Sequence, residues 1–512
     1  MALRLYNTLT RNTEELSPQA GKVKIYCCGP TTYDVPHAGH ARAALAPDVL
    51  VRRLRDLGLE VTYVRNITDV DDKILARSAQ NGEEPLALSN RMALIYQKQM
   101  AEVGCEPPTH EPRVSENISQ ICDLVQRLIA NESAYVVELP GGKRDVYFAV
   151  RKFEGYGKLS RRRIDELMVG ARVAEGESKR DPLDFALWKG AAAEDWGWDS
   201  PWGRGRPGWH IECSAMSERF LGHGFDVHCG GMDLIFPHHE NEIAQSEAAC
   251  PDAGPFARIW MHNGFVNVDK EKMSKSLGNF VTVNDVLVRN DPEAFRWFLL
   301  SAHYRGPIQF DSEKLSDGRV VFPGVDEAER RVDQMFAALA RLRALTANPA
   351  EAPKKPIAEL SSYATQVEKA TQAACAALDD DLNTPVALAS LGELAGVANE
   401  LADLAHKRRK DAVFAKAASL LAREVERGML RVAALLGVLR TSPEEYRART
   451  RARRLTLRGL SEDAVTARVN ARAMARLNKD FAEGDRIRDE LAALGVALRD
   501  AADGGTEWTV EQ

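Results

Sequence analysis

Two thiols, an imidazole and a carboxylate stand in this sequence where one metal ion could use them. In Pro237-His-His-Glu-Asn-Glu242, His238 and Glu242 are four residues apart, which on a helix puts both side chains on one face. That spacing alone also suits a surface hydrogen bond or ion pair. Cys28 closes an apolar run, and Cys213 lies in Gly208-Trp-His-Ile-Glu-Cys-Ser-Ala-Met216, upstream of the run leading to His238. In an open parallel sheet, strand ends of this kind converge on one crevice. Thiolate, thiolate, imidazole and carboxylate form a donor set suited to zinc. Each cysteine taken singly also reads as a small buried apolar residue.

Directly after Cys28 runs Gly29-Pro-Thr-Thr-Tyr-Asp-Val-Pro-His-Ala-Gly-His40. Two histidines at a predicted helix start, with Pro36 ahead of them and Gly39 between, put free backbone N–H groups and a positive dipole end where phosphate binds. His37 and His40 can hydrogen-bond the same anion, and Gly39 lets a base or ribose approach the backbone. Alone, such a pair is also ordinary surface polarity. A second segment, Lys272-Met-Ser-Lys-Ser276, follows the strand-like Ile259 to Val268 and has the setting of an exposed loop whose lysines, Lys272 and Lys275, can close over phosphates. A lone lysine-serine loop is commonly a solvated turn, but the two segments in this order point to a bound nucleotide.

The elements that must hold these groups alternate between β and α. Val23 to Cys27 reads as a buried strand ending at Gly29-Pro30. From Ala41, Leu45, Val49, Leu50 and Leu54 keep helical spacing until Gly58, and Val61 to Ile67 reads as a second strand. Phe225 to His228 and Ile259 to Val268 are again strand-like, with a helical pattern from His238 to Ala249 between them. The fold class expected is α/β, a parallel-sheet catalytic domain in two halves, residues 1–114 and 208–315, split by a connective insertion over 115–207. The Gly-, Pro- and Trp-rich end of that insertion, Trp196 to Pro207, predicts a shaped loop over the crevice. Residues 316–441 predict an α-helical bundle broken at Asn348 to Pro356 and at Asp379 to Pro385.

Residues 442–512 predict a small C-terminal α/β segment. One helix carries Met474, Leu477, Phe481, Ile487, Leu491 and Leu494 and stops at Gly495. A hairpin of Val496 to Leu498 with Trp508 to Val510 follows. At its start Arg447, Arg449, Arg451, Arg453, Arg454 and Arg458 concentrate positive charge suited to an RNA backbone, or equally to a solvated basic linker. Trp508 can stack on an unpaired base or cap the hairpin.

The whole chain narrows the classes. Its 512 residues imply roughly two to four domains. With 45% apolar and 28% charged residues and no long uninterrupted apolar run, no membrane helix is expected. Eight scattered cysteines without a Cys-x-x-Cys pair imply a reduced compartment. Met1 to Leu16 has neither a signal peptide's apolar core nor a transit peptide's acid-poor bias, so a cytoplasmic protein is expected. A net charge of -6 confines any nucleic-acid site to a local patch.

The two nucleotide segments resemble the class I aminoacyl-tRNA synthetases, whose His-Ile-Gly-His and Lys-Met-Ser-Lys-Ser signatures sit on a Rossmann-like catalytic domain. Here Ala38 takes the isoleucine position and the second signature is intact. Within that class the chain is similar to the cysteinyl-tRNA synthetases nearly end to end. The likeness runs through Leu3-Arg-Leu-Tyr-Asn7, Tyr26-Cys-Cys-Gly-Pro-Thr31, Asn66-Ile-Thr-Asp-Val-Asp-Asp72, Asp181-Pro-Leu-Asp-Phe-Ala-Leu-Trp188 and Phe236-Pro-His-His-Glu-Asn-Glu242. It continues in Asp379-Asp-Asp-Leu-Asn-Thr-Pro385 and Phe481-Ala-Glu-Gly-Asp-Arg-Ile-Arg-Asp-Glu-Leu491.

The resemblance implies ATP-dependent activation of L-cysteine, with Mg2+ accompanying ATP, and transfer to tRNA(Cys) by a monomer without membrane partners. It implies zinc on Cys28, Cys213, His238 and Glu242, binding the substrate thiolate. It implies a cysteine pocket with Cys28, Thr68, Trp209 and His228. It implies ATP contacts from Gly29, Thr31, His37, Gly39, His40, Gly230, Gly231, Asp233 and Lys275, with His37, His40, Lys272 and Lys275 as the catalytic groups. The regions around Asp379 to Pro385 and Phe481 to Leu491 would read the anticodon. In His228-Cys-Gly-Gly-Met-Asp233, Cys229 replaces a glycine common in the family and is expected to narrow the nucleotide pocket slightly. A zinc–thiolate bond separates cysteine from serine better than shape does, so no editing site is expected. A cysteine ligase of mycothiol biosynthesis resembles the same catalytic half but lacks the anticodon-binding tail. A catalytically idle paralogue would not need the intact signatures.

Overall fold

The computed structural model describes residues 2–164, 178–268, 271–272, 280–316, 318–346, 357–500 and 506–511. Met273 to Gly278 of the lysine-serine loop, Lys275 among them, and the Asn348 to Pro356 break lie outside the described residues.

An antiparallel pair, β1 (Arg4–Asn7) and β2 (Asn12–Glu15), precedes the strand β3 (Lys22–Cys27). The helix α1 (Ala38–Asp56) crosses over to β4 (Glu60–Arg65), which lies parallel to β3. The second strand thus ends two residues earlier than the predicted Ile67. The Asn66 carboxamide turns inward to accept from the Gly29 N–H at 2.9 Å, and Thr68 then pairs its backbone with Pro30 and Thr32.

Helices α2 (Asp72–Asn81), α3 (Pro85–Glu102) and α4 (Ile118–Ala130) lead into the insertion. Its core is a four-stranded antiparallel sheet of β5 (Ala134–Glu138), β6 (Arg144–Phe148), β7 (Phe185–Gly190) and β8 (Gly205–Pro207), in that order. The Trp-rich stretch is irregular until Gly205, as predicted. Strand β8 delivers the chain directly into α5 (Trp209–Leu221), the helix that carries Cys213.

After α5 come β9 (Phe225–Gly231), α6 (Glu240–Ala249) and β10 (Ala257–Asn263). They complete a parallel sheet ordered β10-β9-β3-β4. The expected single strand from Ile259 to Val268 is broken at Gly264, where a Cβ would lie 2.3 Å from the Gly306 carbonyl oxygen. The chain crosses there into a small separate sheet of β11 (Val266–Val268), β12 (Glu271–Lys272) and, beyond α7 (Val283–Arg289) and α8 (Pro292–Leu300), β13 (Ile308–Gln309). One apolar cluster runs from the α1 side of the sheet into the bundle, and a second joins the other side to the insertion.

The hairpin of β14 (Glu313–Lys314) and β15 (Val320–Val321) precedes the bundle helices α9 (Pro323–Thr346), α10 (Ala358–Asp379), α11 (Thr384–Lys407) and α12 (Ala412–Leu436). Two acids of the break between α10 and α11, Asp379 and Asp381, face the catalytic half, while Asp380 between them is exposed. Arg53 grips Asp379 bidentately at 2.8 and 2.9 Å, and Asp381 accepts from Tyr304 and Arg305. These aspartates join the bundle to the sheet, so they are not exposed for reading RNA.

The tail contains α13 (Pro443–Leu457), α14 (Glu462–Leu477), α15 (Phe481–Ala493) and an antiparallel hairpin of β16 (Val496–Asp500) and β17 (Thr506–Val510), with Leu498 opposite Trp508. The single predicted helix is two. Met474, Leu477 and Phe481, at 56%, 75% and 62% exposure, flank the joint between them, whereas Ile487 and Leu491 enter the small core with Trp508. The apolar spacing ran across two helices whose ends are wet.

Candidate active site and metal centre

The carboxyl ends of β3 and β9 and the starts of α5 and α6 meet in one crevice, as a parallel sheet requires. Cys28 follows β3, its N–H donating to the Cys229 carbonyl at 3.2 Å. Trp209 and Cys213 sit one turn apart on α5, and His238, in the wide turn Ile235–His239 that leads into α6, stands four residues before Glu242 in the first turn of that helix. The Cys28 sulfur is 3.7 Å from Cys213 Sγ, 3.5 Å from His238 Nε2 and 3.4 Å from Glu242 Oε1. His238 Nε2 is 3.1 Å from Glu242 Oε1. All four donor atoms lie within 4.8 Å of one another. Tetrahedral bonds of about 2.0–2.3 Å would space two ligands about 3.3–3.8 Å apart, so the residues fit a zinc ion.

Electrostatics agree with that fit. Burial pushes the Cys28 thiol well above its ordinary value, and Cys213 beside it pushes the same way. Burial draws His238 down to about 3, against the Glu242 carboxylate, which acts in the opposite direction. A dication between these groups would favour the thiolate and the neutral imidazole that ligation needs.

A supporting layer surrounds the four. His228 Nε2 is 3.0 Å from Glu242 Oε2, the oxygen turned away from His238, and the His228 ring stacks on Trp260 at 4.4 Å. His210 Nδ1 is 2.9 Å from His238 Nδ1. His239 Nδ1 is 2.8 Å from His262 Nε2, whose other nitrogen is 2.8 Å from the Thr8 hydroxyl. Cys28, His228, His239 and Glu242 form an overlapping set within the same 4.8 Å limit. It has one thiolate fewer, and the His228 nitrogen facing it is already on Glu242 Oε2, so His228 suits an orienting role, while His239 Nε2 lies 3.4 Å from the Cys28 sulfur. Trp209, 39% exposed, stacks on His238 at 4.4 Å between ring centroids. Thr68 is buried, and its hydroxyl accepts from Asn66 Nδ2 at 3.1 Å.

The helix start beside this cluster is built around the two histidines. His37 caps α1 by accepting the Gly39 N–H at 3.1 Å, and the His37 N–H donates to His40 Nδ1 at 3.2 Å. Their rings lie 3.9 Å apart. Gly29 is packed so closely that a Cβ would fall 1.5 Å from the Asn66 carbonyl oxygen. At Gly230 a Cβ would meet His239 at 2.6 Å, and at Gly231 the Asp233 carboxylate at 2.4 Å. Thr31 bridges to Thr68. Cys229 points into the apolar cluster on the α1 side, so it does not narrow a nucleotide pocket as expected. The flanks of the lysine-serine loop converge here: the Ala38 N–H donates to the Val281 carbonyl at 3.1 Å, and the Phe280 ring meets His37 at 4.9 Å. On the other flank the Lys272 backbone pairs with Asn267.

Residues 15–319 match the family described as the catalytic domain of class I (C) tRNA synthetases, residues 374–440 the DALR domain, and residues 459–508 the cysteinyl-tRNA ligase anticodon binding domain. The cysteine–tRNA ligase of Anaeromyxobacter sp. (strain K) is 47% identical over 515 residues, covering 100% of both chains. That of Geobacter metallireducens is 44% identical over 513 residues, again covering 100% of both. The chain belongs to the cysteinyl-tRNA ligase family. A Mycobacterium tuberculosis methionyl-tRNA synthetase in complex with methionyl-adenylate superposes with a TM-score of 0.62 at 14% identity, covering 86% of this chain and 94% of that one. That likeness places the ligase in the class I synthetase fold.

Sequence reasoning about this cysteinyl-tRNA ligase missed His210, His239, His262 and Glu212. Each histidine stands beside a residue the reading did use or faces one across the sheet, but a lone histidine carries no spacing signal. Glu212 is wholly buried, and neither of its carboxylate oxygens has a hydrogen-bond partner.

Half of the arginine run is taken up by acids of the preceding elements, whereas Arg447 is exposed. Arg449 and Arg453 hold Asp291, Arg453 and Arg454 hold Glu329, and Arg454 holds Asp333. Arg451 pairs with Glu462 at 3.3 Å and also lies over Trp508 at 4.4 Å. A further trio, Glu218, His223 and Cys250, has metal-like spacing. Arg127 bonds both Cys250, at 2.9 Å, and Glu218, at 2.7 Å, and so supplies that cluster's positive charge without an ion. Among the described residues no helix is long and apolar enough to cross a membrane.

Proposed function

We propose that this ligase activates L-cysteine with ATP, transfers it to the 3' end of tRNA(Cys), and selects it through a zinc ion held by Cys28, Cys213, His238 and Glu242. The observation that carries this reading is the 3.1–3.7 Å spacing of two sulfurs, an imidazole nitrogen and a carboxylate oxygen beside a histidine-capped helix start. When bound, zinc supplies a thiolate-specific contact that a serine hydroxyl cannot match.

The chain's own groups do the rest by positioning and charge. A substrate carboxylate oxygen attacks the α-phosphorus of ATP, the bond to the bridging oxygen breaks, and pyrophosphate leaves. No enzyme nucleophile is consumed. The α1 N-terminus with His37 and His40 presents donors to the phosphates, and Gly29, Thr31, Gly39, Gly230, Gly231 and Asp233 border the nucleotide. Lys272 and Lys275 neutralise the departing pyrophosphate with its Mg2+. Trp209 and Thr68 border the cysteine, with His228 holding Glu242 from behind. The tail would approach the anticodon through residues 459–508. A cytoplasmic monomer is the expected state.

Cysteine-dependent exchange of pyrophosphate into ATP, charging of tRNA(Cys) and one zinc per chain by metal analysis test this together. Exchange without tRNA charging would favour a ligase with another acceptor. No exchange at all would leave only an idle paralogue.

A further inference from the structure

His223 has neither ring nitrogen satisfied. It stands in the turn between α5 and β9, flanked by Gly222 and Gly224 at φ 75° and 66°, a left-handed backbone that suits glycine. Its ring lies edge-on to Phe256 with 6.2 Å between centroids. Both nitrogens are closed off from solvent, and neither has a hydrogen-bond partner. A neutral imidazole always presents one donor and one acceptor, so such a ring is costly unless something binds it.

Two side chains from other elements face it. Glu218 lies in the last turn of α5, and Cys250 directly follows α6. A His223 nitrogen, the Cys250 sulfur and a Glu218 oxygen lie within 4.8 Å of one another, yet His223 is hydrogen-bonded to neither of the other two. Ligands on one tetrahedral ion stand about 3.3–3.8 Å apart, which small side-chain rotations reach from here. Thiolate, imidazole and carboxylate are donors that zinc accepts, with a fourth position left for water.

Arg127, in the last turn of α4, holds two members of the trio. Its Nη1 is 2.9 Å from the Cys250 sulfur, and its Nη2 donates to Glu218 Oε2 at 2.7 Å. It does nothing for His223. Its side chain is 39% exposed and can swing into water on its long stem. With the guanidinium turned away and the Cys250 proton passed to solvent, as ligation requires, a dication meets one thiolate and one carboxylate, and the charges cancel. The same ion takes up an unsatisfied nitrogen of His223, which the guanidinium cannot.

We propose that Glu218, His223 and Cys250 form a further metal site, for zinc or a chemically similar dication, closed by Arg127 until the ion displaces it. The ion would tie together the C-terminal ends of α5 and α6, helices whose first halves carry Cys213 and Glu242. The site shares no residue with the cysteine-selecting set and stands without that reading.

The test is equilibrium dialysis of the full chain against zinc buffered at graded free concentrations, read by metal analysis. Cys250→Ser and His223→Phe should each bind one ion fewer than the wild-type chain. His223→Phe keeps the ring and drops its nitrogens, so without zinc it should melt no lower than the wild type. Arg127→Gln removes the competing guanidinium and should tighten that ion about 10- to 100-fold. Zinc uptake that is the same in the wild type, Cys250→Ser and His223→Phe would overturn the proposal. Unchanged zinc affinity in Arg127→Gln would overturn it too, leaving the cluster an ion pair and nothing more.

Discussion

The sulfur of Cys28 lies 3.7 Å from that of Cys213, 185 residues further along the chain. A disulfide would hold them at about 2.05 Å, so both are reduced, at the separation of two ligands on one tetrahedral ion. Cys213→Ala removes one thiolate and should lose zinc and cysteine affinity together, by more than the ~10- to 100-fold typical of removing a supporting residue. Metal analysis and calorimetry on the same preparation check this. Unchanged cysteine affinity in the metal-free variant would refute the role given to zinc.

Lys275→Ala separates binding from chemistry. If the lysine acts on charge that develops as pyrophosphate leaves, adenylate formation should slow by ~100- to 1000-fold while cysteine binding changes little. Single-turnover adenylate formation against equilibrium cysteine binding gives the two numbers. Equal losses in both would count against a transition-state role.

Gly29→Ala probes the floor between the two halves of the site. A Cβ there would overlap the Asn66 carbonyl oxygen at 1.5 Å, and that oxygen belongs to a backbone that cannot turn aside cheaply. The Asn66 side chain fixes both Gly29 and Thr68. The substitution should therefore cost stability on the order of 2 kcal/mol or more and abolish pyrophosphate exchange. Gly21→Ala, whose added Cβ meets nothing within 4 Å, is a control for backbone strain alone, since Gly21 has φ 73°.

The zinc-type donor set was legible because its members are rare residue types at strand ends and helix starts, and a parallel sheet brings such ends together. The supporting histidines were not, because their roles come from cross-sheet neighbours such as Trp260 behind His228. The same reason hid Glu212, whose burial is a property of packing. The break at Gly264 was invisible in an apolar run that reads as one strand. The arginine run misled because charge in sequence does not say which acids it will meet. Asp291 and Glu329 lie more than a hundred residues upstream of Arg453.

Those acids give the arginines a testable assignment. Glu329 is buried and accepts from Asn290, the Asp291 backbone, Arg453 and Arg454. Glu329→Ala removes one of the two carboxylates that each of Arg453 and Arg454 meets, leaving Asp291 and Asp333, which should cost about 1–3 kcal/mol in the contact between tail and bundle. Limited proteolysis near Ser442 should detect the loosening. Because Arg453 already faces carboxylates, Arg453→Ala should not lower the salt dependence of tRNA binding by the ~0.7–0.9 unit in log–log slope expected for each lost phosphate contact. A drop of that size would return Arg453 to the RNA surface.

The closing prediction concerns acid. Asp48, on the buried face of α1, accepts from Arg296 at 2.5 Å, from Arg52 at 2.9 Å and from the Glu106 N–H at 2.7 Å. Burial raises its carboxyl, but the Arg296 and Arg52 guanidiniums and the Glu106 N–H outweigh that and hold it below the ordinary carboxylate value. A carboxylate with a depressed folded value binds fewer protons folded than unfolded. Its stabilisation is therefore complete above the unfolded value and disappears as pH falls through the folded one. The melting temperature should drop on acidification from about pH 5 downward, and Asp48→Asn should flatten that drop. At pH 7 the same variant should be less stable by about 3–5 kcal/mol, because Arg296 is left buried without its counter-ion. Melting curves of both chains between pH 7 and pH 4 decide it: parallel pH dependence in the two would mean that other carboxylates control the acid limb.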